Sequence, residues 1–315
     1  MATSESGDTA GALSGGCVDA DVVLACDRVL AGGSSEVLTF GVDDNDGTSG
    51  LVCGGVITVW VHELTPSVAV ALTGATGAAV LTRRLAGRIH QSAVTLTEAT
   101  QYDCHDTIPD PACAVAAQWL LGSRSRTEFL ESPDGSQTFL EAFGRRQLLV
   151  VVGSSGYTEA LCAQLALLGF ETVVIEPRPR FAAGITFADE VVGSWPDKAI
   201  EKLSEHGKLD AHSAIVVCTH DPKFDEPALL AALGTPAGFI GALGSRTTSA
   251  DRLARLRSRG VPEATLRRIH MPVGLDLGAA SPAETAVSIA AQLIAARHGR
   301  SGAPLRDTSG RLHDR

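Results

Sequence analysis

Residues 148–161 read LLVVVGSSGYTEAL, and this stretch decides the fold. Five apolar residues run without interruption into Gly153. A strand with one wet face would alternate apolar and polar residues, so an unbroken run predicts a strand covered on both sides. After Gly156 the sequence TEALCAQLALLG predicts a helix. The same rhythm returns in ETVVIEP at 171–177, AIVVCTHD at 214–221 and GFIGALGS at 238–245, with helical segments between. Short buried strands alternating with helices predict a parallel, doubly wound α/β sheet over 148–298. The last helix is marked by Ser281 as N-cap, Pro282 as first residue and Glu284 three residues after the cap, which is a capping box. It is expected to end near His298, before Gly299. Residues 299–315 are polar and are expected to form a disordered tail.

Upstream the pattern differs. In residues 1–62 a helix is predicted over 18–30, where Val22, Val23, Cys26, Val29 and Leu30 recur at helical spacing. Strands are predicted at Val37–Phe40 and Val56–Val61, which are rich in β-branched residues. The DDNDG at 43–47 has the wrong register for a calcium loop and is expected to be a solvated turn. Residues 63–147 look like a connecting segment, with helices expected at Ala78–His90 and Ala112–Leu121 and a turn or linker at 122–135. The whole chain has 315 residues, 44% of them apolar and 20% charged, enough for about two globular domains. A net charge of −10 disfavours nucleic acid as a partner. Seven cysteines without a C-x-x-C spacing predict reduced thiols rather than a disulfide framework or zinc ribbon. No apolar run reaches the ~18 residues of a membrane span. No signal peptide is visible, so a cytoplasmic protein is expected.

Several short motifs can carry chemistry. Gly153-Ser154-Ser155-Gly156 joins a strand to a helix, where free N–H groups and the helix dipole favour an anion. It lacks the central glycine of a dinucleotide fingerprint. Glu176 follows Gly153 by 23 residues, near the spacing of an acid that takes a ribose hydroxyl, whereas Arg178 can instead hold a phosphate. Gly15, Gly16 and Cys17 open the first helix, where a thiol can act as nucleophile or soft-metal ligand, although Asp19 and Asp21 oppose a thiolate. Cys53 and Gly54 precede a strand in a similar Gly-rich setting. His220 and Asp221 end one strand, the edge at which open α/β sheets bind ligands. Gly244, Ser245 and Arg246 end the next and again suit an anion. The arginines at 252, 255, 257 and 259 are expected on a solvated helix face, with Asp251–Arg255 as an i,i+4 pair.

These segments together resemble the XdhC/CoxI family of molybdenum hydroxylase maturation factors. The resemblance rests on SGGCVDADVV, FGVDD, GLVCGGVITV, VVIEPRPRFA, THDPKFDEPAL, FIGALGSRTT and IHMPVGLDLGAASPAETAVSIAAQLI, covering about residues 10–62 and 147–297. It implies a C-terminal Rossmann-like domain and a smaller N-terminal α/β domain. That smaller domain would lack roughly 50 residues that family members carry before SGGC, leaving an incomplete core. The GSSG turn departs from the family's GAG-type turn. The resemblance implies a carrier rather than an enzyme. Such a carrier binds molybdenum cofactor, supports its sulfuration and passes it to an apoenzyme of the xanthine dehydrogenase or carbon monoxide dehydrogenase type. A cysteine desulfurase and a second copy of the chain are further expected partners. The alternative from the residues alone is an NAD(P)-dependent oxidoreductase using Gly153 and Glu176.

Overall fold

A computed structural model describes residues 1–41, 56–73, 77–85, 88–96, 102–104, 111–121, 126–131 and 135–309. Two compact units divide the chain, Met1–Arg145 and Arg146–Arg315.

The first unit begins with a two-residue strand pair, β1 (Ala2–Thr3) and β2 (Thr9–Ala10), followed by α1 (Asp19–Leu30), β3 (Glu36–Phe40) and β4 (Ile57–Val61). Strands β3 and β4 pair antiparallel, with Leu38 opposite Val59. One face of this ribbon packs on Val18, just before α1, and on Val22, Ala25 and Val29 of α1 through Leu38, Phe40, Ile57, Val59 and Val61. The helix and both strands stand where the spacing of apolar residues put them.

Beyond them lie α2 (Pro66–Leu72), β5 (Ala78–Leu85), β6 (Arg88–Leu96), β7 (Tyr102–Cys104), α3 (Pro111–Leu121), β8 (Arg126–Glu131) and β9 (Gln137–Phe143). The five strands form one antiparallel sheet in the order β7-β6-β5-β9-β8. The helix expected at 78–90 is therefore wrong, and two strands occupy that stretch. AAVLTRRL is rich in good helix formers, and propensity misleads here. Ala79 and Leu81 face α3, while Ala78 and Val80 face α2, so both sides of β5 are covered and the period-2 signal vanishes. The turn expected at 122–135 contains strand β8. The helix expected at 112–121 is α3.

The second unit runs β10 (Leu148–Val152), α4 (Gly156–Leu167), β11 (Glu171–Ile175), α5 (Pro179–Ala182), β12 (Glu190–Val192), α6 (Pro196–Glu205), β13 (Ala214–Val217), α7 (Pro222–Leu233), β14 (Phe239–Ala242), α8 (Arg246–Ser258), α9 (Glu263–Leu266), β15 (Ile269–His270) and α10 (Pro282–Arg297). All strand pairs are parallel, in the order β12-β11-β10-β13-β14-β15. Numbered along the unit this is 3-2-1-4-5-6, the dinucleotide-fold order. Leu148, Val150 and Val152 face one core with α6 and α7, while Leu149 and Val151 face the other with α4 and α10. Every residue of β10 is buried, which is why its run is unbroken. The capping box of α10 is present, with Ser281 accepting from the Glu284 N–H and Glu284 accepting from the Ser281 N–H. Beyond Gly299 a short 3₁₀ turn covers Leu305–Asp307.

The basic run on α8 is a second correction. Arg252 is fully buried and pairs with Asp225 of α7 at 2.6 Å, both side chains being almost inaccessible. Its Nη1 donates to the carbonyl oxygen of Leu243 at 3.0 Å, and Nη2, which binds Asp225, also reaches that of Thr219 at 3.5 Å. Arg255 and Arg259 pair with Glu226, and Arg257 pairs with Glu263. The expected Asp251–Arg255 pair gives way to the Glu226 contact. Ser249, Arg252 and Leu256 form the buried stripe of α8. Arg252 thus clamps the chain at the ends of β13 and β14 from beneath. Removing one partner of such a pair strands a buried charge. Arg252→Ala is expected to destabilise the protein by about 3–5 kcal/mol in urea unfolding, and Arg252→Met combined with Asp225→Leu to recover most of that loss.

Candidate functional site

The strand order reverses between β10 and β13, and there the chains leaving the two neighbouring strands run in opposite directions. A crevice opens at such a point beyond the carboxyl ends of the strands. Its rim is formed by residues 153–156 after β10, 176–178 after β11, 218–221 after β13 and 243–246 after β14.

Gly153 adopts φ +97°, and a Cβ there would stand 3.0 Å from Cβ of Thr219. A side chain is excluded twice over, by backbone strain and by the close approach of Thr219 in the chain leaving β13. Ser155 caps α4 by accepting from the Thr158 N–H, and the Thr158 hydroxyl donates to the Gly153 carbonyl at 2.8 Å. Around Gly156 there is room, since an added Cβ would meet only Pro282 at 3.9 Å.

Glu176 is fully buried beneath this turn. Its Oε2 accepts from the Ser154 N–H at 3.0 Å and from Arg178 Nη2 at 2.8 Å. Its Oε1 accepts from the Arg178 N–H at 3.0 Å and from Arg178 Nε at 2.7 Å. Burial pushes the carboxyl up, but the hydrogen bonds and charge of Arg178, helped by Ser154, outweigh it and hold it below the ordinary value. The spacing read from the sequence placed an acid at the right strand end. Here that acid serves Arg178 and the turn instead of being offered to a ribose. The Arg178 guanidinium carbon stands 4.1 Å from the centroid of the Phe181 ring, and its Nη1 has no hydrogen-bond partner among the described residues.

His220 is exposed and has no hydrogen-bond partner among the described residues. Asp221 caps α7 by accepting from the Lys223 N–H, and its carboxyl is lowered chiefly by the Lys223 side chain. Ser245 caps α8 by accepting from the Thr248 N–H. Arg246 reaches into solvent, with a single loose contact to the equally exposed Asp276 at 3.8 Å. The structure therefore bonds Glu176 and Arg178 to the turn through Ser154, with Gly153 and Gly156 in the same turn. Arg252 ties the His220 and Gly244 loops to each other. Arg252 was expected on a solvated face, and the roles of Asp225 and Thr158 were not read from the sequence. The first was legible in principle, since it shares the i, i+3, i+7 stripe of Ser249 and Leu256.

Gly15, Gly16 and Cys17 belong to the other unit. Gly15 and Gly16 take φ +68° and +111° with open space around them, and Cys17 is exposed. Asp19 folds back into this loop and accepts from the N–H groups of Leu13 and Gly16, both at 2.8 Å, and from the Ser14 hydroxyl. Those bonds, led by Leu13, pull its carboxyl down to about 2. Cys53 and Gly54, and the DDNDG turn, lie outside the described residues. Cys162 and Cys218 are buried, and burial pushes both thiols up to about 12, so neither is a nucleophile at neutral pH.

A family model described as the XdhC Rossmann domain matches residues 149–293, and one described as the XdhC and CoxI family matches residues 1–41. The chain belongs to the XdhC and CoxI family. This XdhC-type chain is 25% identical over 312 residues to a protein of Bacillus subtilis (strain 168) named as a probable xanthine dehydrogenase subunit, covering 94% of this chain and 87% of that one. It is 23% identical over 297 residues to the molybdenum cofactor insertion chaperone PaoD of Escherichia coli (strain K12), covering 94% and 77%. It is 28% identical over 171 residues to the uncharacterized protein YqeB of the same bacterium, but spans only 30% of that protein's length. A crystal structure of a xanthine dehydrogenase from Bacillus halodurans shares the fold, with a TM-score of 0.68 at 21% identity over 95% of this chain and 86% of that one. Among the described residues no helix is long and apolar enough to cross a membrane.

This geometry sets two expected outcomes. Glu176→Gln keeps the volume but removes the charge-assisted bonds, and is expected to cost about 1–3 kcal/mol in thermal or chemical unfolding. Asp19 has a depressed folded-state pKa, so its contribution to the N-terminal unit is present above the ordinary value of 3.8 and lost as pH falls toward about 2. Carbon-detected NMR titration should show that low midpoint, and Asp19→Asn should remove this part of the acid dependence.

Proposed function

We propose that this chain is a maturation factor for a molybdenum hydroxylase, binding molybdenum cofactor as cargo and delivering it to the apoenzyme. The observation that carries this reading is the crevice at the strand-order reversal of an XdhC-type Rossmann unit, where two capped helix N-termini and the cations Arg178 and Arg246 surround an exposed His220. A phosphate-bearing pterin fits that donor set. The N-terminal end of α4, Nη1 of Arg178 and the Arg246 guanidinium suit its phosphate. The similarity to a protein named as a molybdenum cofactor insertion chaperone supports the same reading. With Glu176 already engaged by four donors, the nicotinamide alternative has no particular observation behind it.

Three finer points belong to the proposal. The client is a hydroxylase of the xanthine dehydrogenase or carbon monoxide dehydrogenase type. The factor supports sulfuration of the cofactor, with a cysteine desulfurase as sulfur source, and acts as a homodimer in the cytoplasm. Cys17, exposed on an open glycine loop of the N-terminal unit, is a soft ligand that can approach the molybdenum.

The test is the pterin retained per folded protein after purification from a host that makes the cofactor, read as fluorescence after oxidative release. The parent chain should carry pterin and activate a client apoenzyme. Arg246→Ala and Cys17→Ala should each lower retention severalfold. Cys162→Ala should leave retention unchanged and cost about 1 kcal/mol of stability through a small cavity. A parent chain that carries no pterin would overturn the proposal. Full retention in Cys17→Ala would remove the thiol from it and leave the Rossmann crevice as the site.

A further inference from the structure

The β3–β4 ribbon has two faces, and only one of them is spent on α1. The other face presents Thr39, Thr58 and Trp60, directly paired across the two strands or next to such a pair. In the same unit, the α2-covered face of the five-stranded sheet is left uncovered toward the end of β5, at Arg84, Gln137 and Phe139. Between these surfaces lies a cavity of about 500 Å³. That volume falls in the ordinary range for small-molecule sites.

Its lining is specific in chemistry. Trp60 and Phe129 meet edge to face at 5.7 Å, and with Phe139 they give flat aromatic walls. Phe129 is half exposed, so its ring is open to a molecule entering the cavity. Arg84 projects from β5 into the same cavity and is half-buried. Its neighbour Arg83 donates to the Thr138 hydroxyl, whereas Arg84 has no hydrogen bond or ion pair among the described residues. Glu131, two strands away in the same row through Gln137, is exposed and leaves Arg84 unpaired. With no carboxylate against it among the described residues, the Arg84 guanidinium is available to an anion that enters the cavity. Gln137 and the Thr39 and Thr58 hydroxyls add polar groups that can fix an orientation.

We infer that this cavity is a small-molecule site of its own, separate from the Rossmann crevice, and takes a planar aromatic ring bearing one anionic group. The ring lies against Trp60, Phe129 and Phe139, and the anion meets the planar fork of Arg84. One unpaired cation matches one anionic group, so a neutral ring of the same shape binds less well.

Three probes test this on the full chain: quinoline-2-carboxylate, guanosine monophosphate, and neutral quinoline. Binding is followed by isothermal titration calorimetry, and the Trp60 indole proton is used to locate the bound ligand by saturation transfer and intermolecular NOE. The two anionic probes distinguish a carboxylate from a phosphate as the group that Arg84 takes. At least one of them should bind roughly tenfold tighter than quinoline and show NOEs to Trp60. In Arg84→Gln, checked for folding by circular dichroism, the preference for the anionic probe should disappear while quinoline binding stays the same. Absence of binding by both anions, equal binding of quinoline, or contacts away from Trp60 in the wild-type protein would each overturn the inference. So would an Arg84→Gln variant that keeps the anion preference. The wild-type comparison decides even if that variant fails to fold.

Discussion

A parallel sheet has no wet face, and the second unit is organised around that constraint. Because β10 is covered on both sides, its side chains can do nothing but pack, and all polar chemistry is pushed to the ends of the strands. The six parallel strands end on the same edge, so their loops collect there. The order 3-2-1-4-5-6 then opens the loops after β10 and β13 away from each other. The crevice is in this sense a geometric remainder of close packing, and the residues around it are free to be selected for binding.

Two ionic arrangements keep that edge from being soft. Glu176 gathers Ser154 and Arg178 from successive strand ends, and Arg252 reaches from α8 to the carbonyls preceding His220 and Gly244. Burial pushes the Asp225 carboxyl up, opposing the charge of Arg252, so this pair is held by geometry rather than by a favourable environment. Both arrangements use arginine, whose several donors can serve a carboxylate and backbone carbonyls at once. Surface pairs such as Arg257 with Glu263 touch nothing of this kind and contribute little.

The sequence was most legible where burial is uniform. Strands β10, β11, β13 and β14 and the capped helix α10 follow directly from apolar runs and from Ser281, Pro282 and Glu284. It was least legible at 78–96, where Ala, Leu and Arg favour helix locally but tertiary cover on both faces of β5 imposes a strand. Of the candidate site, the strand-end positions of Gly153, Glu176, His220 and Ser245 could be read from spacing. What each side chain does there could not, because partners such as Arg252 and Asp225 lie 27 residues apart in sequence. One arginine in a run of four is buried, and only its register with Ser249 and Leu256 distinguishes it.

The loop before α1 has a consequence for what it can touch. A run of glycines with positive φ would ordinarily form a concave nest of N–H groups that captures an anion from outside. Here the chain supplies that anion itself: Asp19 occupies the donors of Leu13, Gly16 and Ser14. The concavity is filled and carries a fixed negative charge. An incoming phosphate or carboxylate finds both its donors taken and its charge opposed. Cys17 is displayed beside this filled nest, so the loop exposes a thiol and a bound carboxylate side by side where an open anion cradle would otherwise stand.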